Sequence, residues 1–182
     1  MKKFEIPYNF CKQGLEDMLK YENYDDIQIM WGVDWIDSVY LPAFCEDSQT
    51  TRLELKIHPL EWFEYVDHIS YIQDKGLSPD VLLQGDKKID IDTIGKYIDL
   101  GIDKFIVKED ANAKLIKDNF PNAMTTASIT KMLTVEELKD KDLSMYDRIV
   151  LDFRLNDLDV VKSLPKNHKY VFHIKIFHHF LK

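Results

Sequence analysis

Four histidines crowd the last fifteen residues of this 182-residue chain: His168, His173, His178 and His179. Imidazoles gathered this closely can hold zinc or iron. Neighbours on a strand point to opposite faces, however, so His178 and His179 cannot both reach one ion from extended backbone. The nearest carboxylates, Asp157 and Asp159, sit on a different element, and the spacing matches no metal-binding pattern. A polar tail is the reading, with no metal site. The two cysteines, Cys11 and Cys45, would need a neighbouring base or cation to become thiolate nucleophiles, and no local signature surrounds either. A mixed acid–base set stands where strands would end: Asn9, Gln84, Lys108, Glu109, Ser128, Asp152 and Lys175, with Arg52 on the segment after the second strand. Such a set suits an active site, and it equally suits a rim of ion pairs. Gly85, Gly95 and Gly101 are isolated, so no phosphate-cradling loop is expected. We assign no catalytic residue, no metal and no cofactor.

The elements that would position these residues alternate. From about residue 78, short β-rich runs and amphipathic helical runs follow one another. The predicted strands are 80–84, 104–108, 123–129, 148–152 and 170–177, with earlier candidates at 5–10 and 27–31. Predicted helices cover 14–21, 59–74, 89–100, 111–119 and 135–141, and a last one, capped by Asn156 or Asp157, runs through Val161 to Leu164 and ends at Pro165. Thr134 with Glu137 three residues on forms a capping box. Gly76 and Gly101 offer left-handed helix stops. No period fits 34–56, which reads as a long irregular loop over the site end. The fold class this predicts is α/β: a single domain, 1–182, built as an incomplete parallel (β/α) barrel of about seven strands with outer helices.

Bulk composition narrows the partners. The net charge of −8 argues against free nucleic acid as a ligand and leaves a basic protein surface open. Two cysteines cannot build a disulfide framework. The start meets lysines and Pro7 before any apolar run, so we expect no signal peptide, no membrane span and a cytoplasmic location. From Val160 to Lys182 there are five lysines, four histidines and no Asp or Glu, interleaved with aromatic and aliphatic residues. A basic, sticky end thus closes an acidic body. It suits an open sheet edge that pairs with a partner or with a second copy of the chain.

Several phrases resemble the collagenase-like peptidase family, the peptidases of unknown catalytic type. They are Trp62-Phe63-Glu64-Tyr65-Val66 with Gly76 and Asp80-Val81-Leu82-Leu83-Gln84, then Tyr97 to Val107. Phe120-Pro121 with Thr126-Ala127-Ser128-Ile129, and Tyr146 to Asp152, complete the set. The likeness spans about 57–174, with fainter support from Pro7-Tyr8-Asn9-Phe10. It implies a barrel. It also implies a stretch after the last strand with an Asn or Glu beside cysteines that hold iron–sulfur clusters in some members. Here that stretch reads His173-Ile174-Lys175-Ile176-Phe177-His178-His179, without cysteine, and Gln84 replaces the family's strand-end Asn. The resemblance is therefore to a truncated member lacking its cluster.

Anti-CRISPR inhibitors of RNA-guided nucleases include proteins likened to this family. The resemblance thus implies a phage or mobile-element inhibitor that binds such a nuclease stoichiometrically. The alternative is a hydrolase or modifying-enzyme subunit of the peptidase family. The expected interface residues are Trp35, Tyr40, Phe44 and Arg52 on the long loop, with Phe177 and Phe180 on the tail.

Overall fold

Apolar β-branched runs and helix-period runs alternate along the chain, and each strand lies beside the next. In the computed structural model, which describes residues 3–20, 35–44, 60–85, 88–155 and 157–172, the strands are β1 (Lys3–Pro7), β2 (Trp35–Pro42), β3 (Ser78–Leu83), β4 (Lys104–Val107), β5 (Met124–Ala127), β6 (Arg148–Leu151) and β7 (Lys169–Phe172). They pair in sequence order, all parallel, as one seven-stranded sheet. The helices between them are α1 (Lys12–Lys20), α2 (Trp62–Asp74), α3 (Ile91–Asp99), α4 (Asp110–Asn119), α5 (Val135–Asp140) and α6 (Leu158–Ser163). The sheet curls into a half-barrel. Among the described residues β1 and β7 do not pair with each other, so the barrel is incomplete, as the βα rhythm predicts. The expected neighbours lie side by side, Asp80 opposite Lys104 through Leu83 opposite Val107.

One segment differs from expectation. The stretch read as irregular loop contains β2, which fills the place between β1 and β3. Its alternation is real: Val39 and Leu41 are fully buried in the helix-side core, while Ser38 and Tyr40 fall on the other face. Aromatic residues, an aspartate and Pro42 blurred the two-residue period, and burial on both faces weakens alternation in parallel strands. The strand expected at 27–31, and the rest of the loop from 45 to 56, lie outside the described residues.

Register sorts the side chains into two layers, since paired residues of parallel strands share a face. The outer face carries Val39, Leu41, Val81, Leu83, Phe105, Val107, Ala127, Ile149 and Leu151, packed against Leu15, Tyr65, Ile69, Ile94, Tyr97 and Ile116 of the helices. Each fully buried side chain of this size contributes roughly 1.5–3 kcal/mol. The inner, concave face is polar at its lower end, where Glu5, Asp80, Thr126 and Arg148 meet. Leu82 and Ile106 follow, and Gln84 and Ser128 stand at the carboxyl end.

Helix ends are specified locally. Glu61 and Glu64 form a capping box for α2, Thr134 and Glu137 one for α5, and Asp157 caps α6. Helix α2 begins after Glu61 rather than at Pro59. At the far ends of α2 and α3 the same closure recurs. Gly76 and Gly101, at φ 75° and 77°, donate to Gln73 and Ile98 carbonyls, and Leu77 and Ile102 donate to Ile72 and Tyr97. This is the Schellman arrangement, and only the αL backbone makes it.

Candidate functional site

In a parallel barrel the strand carboxyl ends form the working rim. Here Gln84, Lys108, Ser128 and Asp152 each immediately follow β3, β4, β5 and β6, as the sequence placed them. Gln84 Nε2 donates to Ser128 Oγ at 2.8 Å, reaching over β4. Ser128 is buried, caps the 3-10 turn Ile129–Lys131, and shares a 2.9 Å hydrogen bond with the Thr130 hydroxyl. The serine thus has amide and hydroxyl neighbours; no imidazole or carboxylate bonds to its Oγ among the described residues. Lys108 pairs loosely with Glu109 at 3.8 Å.

Asp152, almost fully buried, is gripped by its own turn. Arg154 donates from Nε to Oδ1 at 2.8 Å, from an Nη to Oδ2 at 2.9 Å, and from its backbone N–H to Oδ1 at 2.9 Å. A bidentate guanidinium neutralises a carboxylate more completely than a point charge does. Behind the rim, Asp110 accepts from Lys131 at 2.7 Å and from the Tyr146 hydroxyl at 2.9 Å, and pairs with Lys141 at 2.9 Å. Burial alone would raise its pKa; these three donors outweigh burial and hold it at about 2.

Two non-glycine residues in the left-handed region stand in this same zone. Phe10, φ 59°, lies between β1 and α1, and Met132, φ 51°, closes the 3-10 turn after β5. Phe10 is braced by the rings of Tyr8, Tyr65 and His68 at 5.4–5.8 Å. The Tyr8 hydroxyl shares a 2.6 Å hydrogen bond with His68 Nδ1. Burial first, then the nearby Lys12 charge, lowers the His68 pKa, and burial raises that of Tyr8, so both shifts favour the uncharged forms. Cys11 is exposed at the start of α1, its Sγ accepting the Gly14 N–H at 3.3 Å.

The expected interface residues are scattered. Tyr40 lies in β2, and Trp35 is its first residue. Phe44 packs edge-on against Trp62 and Tyr65, and its N–H donates to the Tyr97 hydroxyl at 2.8 Å. Asn9 is exposed after β1. Arg52, Lys175, Phe177, Phe180, Cys45 and the last three histidines lie outside the described residues. Sequence reasoning missed Arg154, Thr130, Met132 and Phe153. The Asp-x-Arg spacing at 152–154 was the one available signal; the others depend on turn geometry.

The fold is shared with a U32 peptidase. The solved structure of the U32 peptidase Mk0906 superposes with a TM-score of 0.62 at 17% identity, covering 94% of this chain and 67% of that one. The likeness is one of fold, and it agrees with the distant resemblance to collagenase-like peptidases carried by the strand and helix phrases. No family model and no curated protein matches the sequence. Among the described residues no group of three His, Cys, Asp or Glu is placed to hold a metal, and no helix is long and apolar enough to cross a membrane.

Proposed function

We propose that this chain acts by stoichiometric binding to a macromolecular partner and uses the carboxyl-end rim of its half-barrel as the contact. One observation supports this most. The rim's polar groups are spent on one another, Gln84 on Ser128 and Asp152 on Arg154, while Met132 and Phe153 beside them are 57% and 49% exposed. Exposed apolar groups around internally satisfied polar ones suit recognition better than turnover. The partner we propose is an RNA-guided nuclease. That choice rests on the resemblance to peptidase-like inhibitors and on the net charge of −8, which favours a basic channel. The Asp152–Arg154 pairing, which ties up a rim carboxylate, supports the protein-partner reading over a hydrolase.

The test is a titration of a guide-loaded RNA-guided ribonuclease with the purified chain. Inhibition is expected to saturate near one equivalent and to weaken as salt rises. Met132→Ser with Phe153→Ser is expected to weaken it about tenfold or more, the loss of roughly two modest apolar contacts. Ser128→Ala is expected to inhibit as the parent does. Loss of the nuclease at substoichiometric protein, abolished by Ser128→Ala, would replace binding with hydrolysis.

A further inference from the structure

At the opposite end of the sheet, below the amino ends of β5 and β6, lies an open cleft of about 620 Å³. It is bounded by the turn before β5, the 146–148 segment and the 166–169 turn that leads into β7. Its cations are Lys117, Arg148, Lys166 and Lys169, with His168 beside them; its one carboxylate is Asp147. This is a cationic hollow on a chain whose net charge is −8. An adjoining depression shares Tyr146, Asn167 and His168 but mixes signs through Lys139, Asp140, Lys141 and Asp142.

The cations are not equivalent. Lys117 is committed to Asp147 at 2.7 Å and to the Ala123 carbonyl at 2.8 Å, which cancels the cleft's one negative charge. Arg148 directs its fork inward to Glu5, Asp80 and Thr126. Lys166 and Lys169 are exposed and form no ion pair among the described residues. Two ammonium groups without a counter-charge among the described residues, an imidazole and the side-chain amides of Asn122 and Asn167 therefore line one hollow.

We propose that this cleft is a phosphate-binding site, held by Lys166, Lys169 and His168 and separate from the carboxyl-end rim. The donor set selects the anion. A planar carboxylate is best recognised by a free guanidinium fork, and the one guanidinium here is already occupied. Ammonium groups, amides and an imidazole around an open hollow suit a compact, multiply charged acceptor that can be approached from several sides. The phosphate can come from a small phosphomonoester or from the 5′ end of an RNA, and the experiment separates them.

Backbone amide shifts are followed by NMR as the chain is titrated with inorganic phosphate and, separately, with a 5′-phosphorylated oligoribonucleotide, chloride balancing ionic strength. Saturable shifts confined to Asn122 and the 166–169 turn are expected. Lys166→Ala with Lys169→Ala is expected to weaken them at least about tenfold, with amides in β3 and β4 unmoved as the control for folding. Tighter binding of the oligoribonucleotide than of phosphate assigns the site to RNA ends; equal affinity assigns it to small phosphomonoesters. Shifts that never saturate, or that persist unchanged in the double variant, overturn the site.

Discussion

Asp80 is a buried carboxylate with an incomplete set of partners. Its side chain is fully buried, one oxygen accepts from Arg148 at 3.0 Å, and the other has no hydrogen-bond partner among the described residues. Burial first, then the Glu5 charge on β1, raise its pKa to about 6, against the opposing pull of Lys104 on β4 and Arg148 on β6. A raised carboxyl pKa means that the folded state prefers the proton. The stability this gives is complete below the ordinary carboxyl pKa of 3.8 and is lost as pH rises through about 6. Asp80→Asn, which keeps an acceptor for Arg148 and removes the charge, is therefore expected to be more stable than the parent at pH 7.5, by up to roughly 3 kcal/mol, and level with it near pH 4. Urea denaturation at the two pH values measures this; an unchanged pH dependence would show that Asp80 stays ionised. Arg148→Met is expected to cost about 3–5 kcal/mol at pH 7.5, because it leaves buried Asp80 and half-buried Glu5 without the guanidinium they share.

At the scale of elements, the two Schellman closures decide where helices stop and strands begin. No heavy atom lies within 4 Å of a Cβ built on Gly76, so Gly76→Ala meets only the backbone penalty of φ 75°. It is expected to lower stability by about 1–2 kcal/mol, seen as a lower urea midpoint at constant slope. A loss well beyond that would mean that the α2–β3 turn rearranges. These stops were legible in the sequence because Gly76 and Gly101 follow helical periods directly. So was the capping box at Thr134, and Asp157 was one of two candidate caps for the last helix. The rim positions Gln84, Ser128 and Asp152 were legible too, since the carboxyl end of a parallel strand is found by counting. The pairings were not. Arg154 reaches Asp152 because a 3-10 turn folds it back, and Arg148 meets Glu5 because a sheet curls. Neither event leaves a period in the chain, and β2 was hidden for the related reason that both its faces are covered.

On the scale of the whole molecule, the curled sheet presents β7 at its edge, with Phe172 47% exposed at the end of that strand. Among the described residues no strand pairs with the outer side of β7, and an edge left open invites a further strand. We expect sedimentation to show a concentration-dependent monomer–dimer equilibrium through this edge, and Phe172→Lys to move it towards monomer. Identical sedimentation of the parent and the variant would remove β7 from any self-association.

The Arg148 bridge bears on how the chain folds in time. Every strand pairs with its sequence neighbour, so the sheet can grow by successive short-range steps. The contact of Arg148 with Glu5, by contrast, joins residues 143 positions apart and forms only once curvature has brought β6 over β1. We expect such a contact to form after the rate-limiting barrier. Substituting Arg148 should then leave the refolding rate almost unchanged and appear nearly in full as faster unfolding. The half-barrel would be a fold whose lifetime is set by a tie drawn tight after assembly, so that its resistance to opening can be tuned at one residue without altering how quickly it forms.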